Sequence, residues 1–251
     1  MARLDGCAAL VTGASSGIGA ATALALAAEG ASVALVGRNA ARLAEVAQRI
    51  EGAGGRALVL VADITEAAAP EQVVADAVAA FGRLDIVVNA AGVMLNGSSL
   101  KRPFEEWRQM VDLNLTALMA VSKAALPHLV AAAGSGRGVT DLVNISSIAG
   151  RTASAGAAVY HATKFGVTAF SESLRQEFAR RNLRVSVIEP GAVRTGLFDH
   201  GDPVARGRLA ERLAEVEYLH PEDIADLVTH VVTLPRRVAL AEVVIRPTDH
   251  V

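Results

Sequence analysis

Two residues four positions apart stand out for their chemistry. In Tyr160-His161-Ala162-Thr163-Lys164 the tyrosine and the lysine are i and i+4, so on a helix they project from one face. An ammonium beside a phenol stabilises the phenolate and draws the tyrosine pKa down from about 10, turning an inert phenol into a general acid/base. Such a pair alone is common and is more often a surface contact. His161, one residue on, lies about 100° around the helix and points off that face. Support comes from Val143-Asn144-Ile145-Ser146-Ser147, a strand-like run ending in two hydroxyls, with Ser147 thirteen residues before Tyr160. Asn114, between Leu113 and Leu115, is an amide in an apolar stretch and requires a backbone or water partner.

A glycine-rich turn supplies a second kind of chemistry. Thr12-Gly13-Ala14-Ser15-Ser16-Gly17-Ile18-Gly19 follows a strand and opens a helix, where backbone amides and the helix N-terminus favour a pyrophosphate. The same stretch fits G-x-S-x-G, which would make Ser15 a hydrolase nucleophile served by His161, His220 or His230. Against this, the turn follows the first strand, so nothing upstream provides the oxyanion loop. The second strand ends Leu35-Val36-Gly37-Arg38-Asn39. Gly37 stands where an acid would hold ribose hydroxyls, and Arg38 offers a planar fork for a 2′-phosphate, which favours NADP(H) over NAD(H).

These groups need a scaffold. Buried-strand runs occur at Cys7–Thr12, Ala31–Val36, Arg56–Val61, Leu84–Asn89, Gly138–Ile145, Leu183–Ile188 and Ala241–Ile245. Helical spacing fills Ile18–Glu29, Ala40–Ala53, Ala68–Gly82, Phe104–Ala133, Val159–Arg181 and Glu222–Thr233. The alternation predicts an α/β fold, a Rossmann-type doubly wound parallel sheet of about seven strands with helices on both faces. No linker divides the chain, so residues 1–251 are expected to form a single domain. Ala192–His220 breaks the rhythm, with an Arg208–Tyr218 helical patch, and reads as a substrate lid over about 192–220.

Composition narrows the field. The 251 residues carry 24 Lys+Arg against 26 Asp+Glu, a formal charge of −2, which argues against a nucleic-acid partner. With 52% apolar and 20% charged residues, a disordered chain is excluded. A lone cysteine, Cys7, excludes an internal disulfide or a cysteine-cluster zinc site, and no metal is expected. The first residues carry no secretion signal and no apolar run approaches the ~18 residues of a membrane span, so a cytoplasmic protein without a membrane partner is expected.

Taken in order, Thr12-Gly13…Gly17-Ile18-Gly19, Asp63-Ile64, Asn89-Ala90-Ala91-Gly92, Asn114, Ser147, Tyr160…Lys164 and Pro190-Gly191…Thr195 resemble the short-chain dehydrogenase/reductase family, in its single-domain branch of roughly 250 residues. The resemblance covers almost the whole chain. It implies a catalytic set of Asn114, Ser147, Tyr160 and Lys164. Tyr160 would exchange the proton with a carbonyl or alcohol oxygen, Ser147 would hold that oxygen, Lys164 would bind the nicotinamide ribose, and Asn114 would hold a water linking Lys164 to solvent. Cofactor contacts would come from Gly13, Ser15, Ser16, Ile18, Gly19, Arg38, Asp63, Ile64, Asn89, Gly92, Tyr160, Lys164, Pro190, Gly191, Val193 and Thr195. Met94, Leu95, Ile148, Leu197 and Phe198 would wall a mainly apolar substrate pocket. The sequence departs from the family's two successive asparagines at Ala90, which leaves the hydrogen bonding there open.

A narrower likeness, in Ser147–Arg151, Ala162–Val167, Ile188–Gly191 and Ile245–Asp249, is to bacterial NADP-dependent reductases of secondary metabolism, the clavulanate-type aldehyde reductases among them. The implied activity is NADP(H)-dependent reduction of a ketone or aldehyde, or the reverse oxidation, by a homotetramer or homodimer. A non-catalytic nucleotide sensor on the same fold is the alternative, and retention of both Tyr160 and Lys164 weighs against it.

Overall fold

Seven short apolar runs pair as one parallel sheet in this computed structural model, which describes residues 2–249. In chain order the elements are β1 (Ala8–Thr12), α1 (Gly17–Ala28), β2 (Ser32–Gly37), α2 (Ala40–Gly52), β3 (Arg56–Val61), α3 (Ala69–Phe81), β4 (Ile86–Asn89), α4 (Phe104–Val111), α5 (Leu118–Ala132), β5 (Thr140–Ile145), α6 (Ala158–Phe178), β6 (Leu183–Pro190), α7 (Pro203–Arg212), α8 (Pro221–Thr233) and β7 (Glu242–Ile245). The strand order is β3-β2-β1-β4-β5-β6-β7, and every pairing is parallel. This is the doubly wound Rossmann-type fold that the alternation of elements predicts. The chain winds outward from β1 to β3, then returns to place β4 on β1's other side. A crevice opens at that reversal, beyond the carboxyl ends of the strands.

Alternation along the strands splits the core in two. From β1, Ala9 and Val11 face the layer of α1, α2 and α8, where Leu26, Leu43, Ile50 and Val228 are buried. Leu10 faces the other layer with Val73, Val121, Leu129 and Leu174 of α3, α5 and α6. A third apolar cluster, around Met94, Met110, Ala149 and Tyr160, lies over the carboxyl end of the sheet.

Two segments differ from expectation. The run Phe104–Ala133 is helical, but a π-helical turn at Asp112–Ala117 separates α4 from α5. The whole stretch, Phe104–Ala132, is 29 residues long and apolar enough to cross a bilayer, contrary to the reading that no run approaches that length. One side of it packs on the sheet, with Ala117, Val121, Ala125 and Leu129 buried in the core, while Phe104 and Val111 are exposed. In the 192–220 segment the helix is Pro203–Arg212, not Arg208–Tyr218. Asp202 starts it early, its carboxylate accepting from the Val204 and Ala205 amides at 3.0 Å each, with Pro203 set in the first turn.

Candidate active site

The crevice holds a groove of about 830 Å³, lined by the segments at the carboxyl ends of β1 to β6. Its centre is the glycine turn after β1. Gly13 has φ +68°, and a Cβ there would lie 2.9 Å from the Ala91 backbone. A Cβ on Gly19 would collide with the Gly13 carbonyl, so this glycine lets α1 start directly against the turn. Thr12 Oγ1 accepts from the amides of Ala90 and Ala91 at 3.1 and 3.3 Å, which closes the hydrogen bonding that Ala90 left open. Ser16 makes no side-chain cap, and the first turn of α1 carries no acid. The helix N-terminus therefore meets the groove as a bare anion site backed by glycine.

Beside this turn, β2 ends at Gly37, with the Ser15 hydroxyl 3.5 Å from where a Cβ would be. The guanidinium of Arg38 lies 3.7 Å from Asp63 and is 69% exposed. Asp63 accepts from the Thr65 amide and hydroxyl at 3.0 and 2.7 Å, and these bonds more than Arg38 lower its pKa. Arg42 also lines this end, a second cation the sequence reading passed over. Its signal was there: Arg38 and Arg42 flank Asn39, which caps α2 by accepting from the Arg42 amide. A dinucleotide carrying a 2′-phosphate fits this donor set, with two guanidiniums on the wall and glycine where an acid would repel it.

Tyr160, Lys164 and Ser147 line the other end. Lys164 Nζ donates to the Ile145 carbonyl at 2.9 Å and sits 5.7 Å from the centre of the Tyr160 ring. Ser147 Oγ accepts from the Ala149 amide at 3.1 Å and donates weakly to the Pro190 carbonyl. Asn114 lies behind the wall, 1% exposed, on the π-helical turn. Its amide brackets Val93, accepting from the backbone N–H and donating to the carbonyl at 2.8 Å each. The backbone partner demanded by its two leucine neighbours is Val93. A Cβ on Gly92 would lie 3.4 Å from Asn114 Oδ1 and 4.0 Å from Lys164 Nζ, so both groups converge on that glycine.

Burial sets the electrostatics here. It pushes the Tyr160 phenol up to about 12, with the Ser147 hydroxyl acting in the opposite sense. It also pulls the Lys164 ammonium down to about 8. The sequence reading expected the lysine to lower the tyrosine. Instead desolvation dominates both groups, and the ammonium directs one of its three protons at the Ile145 carbonyl. At neutral pH the phenol keeps its proton.

Nearly every predicted cofactor residue borders the groove. Asn89 does not. It is 2% exposed, and its Nδ2 donates to Ser122 Oγ and Asn144 Oδ1 at 3.0 and 2.9 Å, while Asn144 donates to Ser171. That chain of amides and hydroxyls ties α5, β4, β5 and α6 together beneath the floor. Among the predicted substrate residues, Leu197 and Phe198 line the groove; Met94 and Leu95 belong to the apolar cluster behind it, and Ile148 to neither. His161 bonds to Ala149 and Ser154, while His220 and His230 belong to the start and last turn of α8. None of the three makes a hydrogen bond to Ser15, so the nucleophile reading has no base.

A family model described as short chain dehydrogenase matches residues 7–203. The chain belongs to the short-chain dehydrogenase/reductase family. Relatives of this family resemble it along nearly its full length. An uncharacterised oxidoreductase of Staphylococcus epidermidis is 37% identical over 247 residues, 98% of this chain and 100% of that one. Among solved structures, a short-chain dehydrogenase from Burkholderia cenocepacia in complex with NADP superposes with a TM-score of 0.85 at 32% identity, covering 97% of this chain and 98% of its own. A metagenomic short-chain oxidoreductase, also in complex with NADP, gives a TM-score of 0.82 at 33% identity over 98% and 99% of the two chains. The protein is thus an oxidoreductase of the short-chain dehydrogenase/reductase type, a fold that binds a nicotinamide cofactor.

Proposed function

We propose that the protein is an NADPH-dependent reductase of ketones or aldehydes, with Tyr160 as proton donor. One observation carries the reading: a buried phenol stands with Ser147 and Lys164 at the apolar end of a dinucleotide-sized groove. The nicotinamide, when bound, supplies the hydride. The chain's own residues do the rest. Ser147 would hold the carbonyl oxygen by its hydroxyl, and Tyr160 would give it a proton as the alcohol forms. Lys164 would hold ribose hydroxyls and keep positive charge near the phenol as the proton leaves. Asn114 would keep Val93 and the adjoining wall in place through its two backbone bonds.

The cofactor preference rests on Arg38 and Arg42 and on the absence of an acid at Gly37, and the two NADP-bound relatives support it. The substrate end is walled by Leu197, Phe198 and Val93, with Trp107 and Leu209 packed on the same apolar cluster, which suits a neutral apolar carbonyl compound. Residues 192–220 act as the lid of a single-domain enzyme on this reading. Assembly as a homotetramer belongs to the same proposal: α4 exposes Phe104 and Val111, and α6 exposes Phe165. Light scattering giving a monomer would remove that part.

Consumption of NADPH with a panel of aromatic and aliphatic aldehydes and ketones tests the activity. Tyr160→Phe should bind NADPH normally yet lose roughly 10²–10⁴-fold in turnover. Wild-type rates from that variant would end the assignment.

A further inference from the structure

Among the buried titratable groups that the proposed reaction leaves unused, one packs directly against Tyr160. His161 follows Tyr160 on α6, is 9% exposed, and turns away from the groove toward the loop that runs from Ser147 to Gly156. Two backbone groups of that loop meet its ring. The Ser154 amide donates to Nε2 at 3.2 Å, and a backbone amide can only donate, so Nε2 carries no proton. The ring proton therefore sits on Nδ1 and is directed at the Ala149 carbonyl, 2.9 Å away. The Ser154 hydroxyl lies 3.1 Å from the same Nε2.

What Ala149 does next gives the contact a purpose. Its amide donates to Ser147 Oγ at 3.1 Å, and the Gly150 amide donates to the Ser147 carbonyl at 2.8 Å. One residue thus links the histidine ring to the serine hydroxyl. The same ring packs edgewise against Tyr160, centroids 6.4 Å apart. Tyr160 and His161 are consecutive on a 21-residue helix and move as one body. Ser147, by contrast, lies outside the sheet, at the start of a short 3-10 turn (Ile148–Gly150).

We propose that His161 is a positioning residue with two separable arms: its Nδ1–H, through Ala149, sets the Ser147 hydroxyl against Tyr160, and its Nε2, through Ser154, shapes the substrate wall. The second arm meets that wall from behind: the loop's far end, at the Gly156 carbonyl, accepts from the Gly97 amide at 2.8 Å, in the segment that carries Val93 of the wall and Met94 and Leu95 of the apolar cluster behind it. The inference rests on the reading that Ser147 and Tyr160 act on one carbonyl oxygen.

Asparagine and glutamine separate the arms, since an Asn amide reaches where Nδ1 was and a Gln amide where Nε2 was. His161→Asn should keep kcat within about twofold and raise KM for the carbonyl substrate. His161→Gln should lower kcat by about 10- to 100-fold, the cost of a misplaced polar group, with KM for NADPH unchanged. In a Ser147→Ala background the Gln substitution should cost no further kcat, because its effect passes through the missing hydroxyl. Melting curves check that each variant is folded. Equal kcat loss in the Asn and Gln variants, or full additivity with Ser147→Ala, overturns the proposal even where Gln also destabilises the fold. Turnover by Tyr160→Phe is measured alongside. If that variant is inactive while the cycle is additive, only the role of His161 fails; if it is fully active, the reductase reading fails first.

Discussion

Lys164 and Tyr160 are polar groups carried into a dry site, and the cost should be measurable. Lys164 titrates near 8 in the folded protein against about 10.5 in the unfolded chain. Below pH 8 both states hold the proton, and the folded state bears the full burden of a desolvated ammonium. Between pH 8 and 10.5 the unfolded chain binds more protons, so stability from this group rises with pH. Lys164→Met should therefore raise the melting temperature by several degrees at pH 7, an upper limit of about 3 kcal/mol, while abolishing turnover. The gain should shrink toward pH 10. Tyr160 has the opposite sign, a raised folded pKa whose contribution is lost only above pH 10, so from pH 7 to 10 the lysine acts alone. A gain that stays constant from pH 7 to 10 would show that the ammonium is not held uncompensated.

Elements position these residues through their ends. The loop after β5 carries Ser147 and is pinned from below by Arg151, which pairs with Glu189 at the end of β6 and with Glu242 at the start of β7. Glu189 is wholly buried, with Thr168 its other donor at 3.3 Å. Arg151→Met leaves that carboxylate short of its cation and should destabilise the protein by roughly 1–3 kcal/mol. Adding Glu189→Gln should recover most of the loss in a urea melt, since the amide needs no counter-charge. A double variant as unstable as the single one would mean that Arg151 acts by packing its stem. The π-helical turn at Asp112–Ala117 is a second such device. It sets Asn114 against Val93, and Leu115 of the same turn fills the space that Gly166 leaves open on α6.

At the scale of the whole molecule, the groove draws on loops after β1, β2, β3, β4, β5 and β6, so a bound dinucleotide ties both halves of the sheet together. Ligand at about 100 times its Kd stabilises the fold by roughly 2.7 kcal/mol, worth about 5–10 °C in a chain this long. NADPH should give a shift of that size and NADH a smaller one. Arg38→Asp should reverse the order, by removing a phosphate-binding fork and adding an acid beside the ribose position. Equal shifts for NADPH before and after the substitution would assign phosphate recognition to Arg42 alone.

Much of this protein was legible in its sequence. The five inner strands are buried along almost their whole length, so they appear as largely apolar runs, and the parallel sheet follows from the helices between such runs. Glycine identities in the first turn and the i, i+4 spacing of Tyr160 and Lys164 are local facts, and local spacing on a helix does not depend on the rest of the chain. Other properties came from distant neighbours. Asn89 sits under the groove because Ser122 and Asn144 come to it from other elements. The short helix in 192–220 begins where Asp202 caps it, and the π-helical turn has no local signature. The direction of the Tyr160 shift depends on how much water the packed cluster excludes, which residue spacing does not encode. So the sequence alone determined which groups the chain brings to the carboxyl edge of the sheet. Tertiary structure decided their protonation, their partners and which of them face the groove, because desolvation and hydrogen bonding are set by atoms far away along the chain.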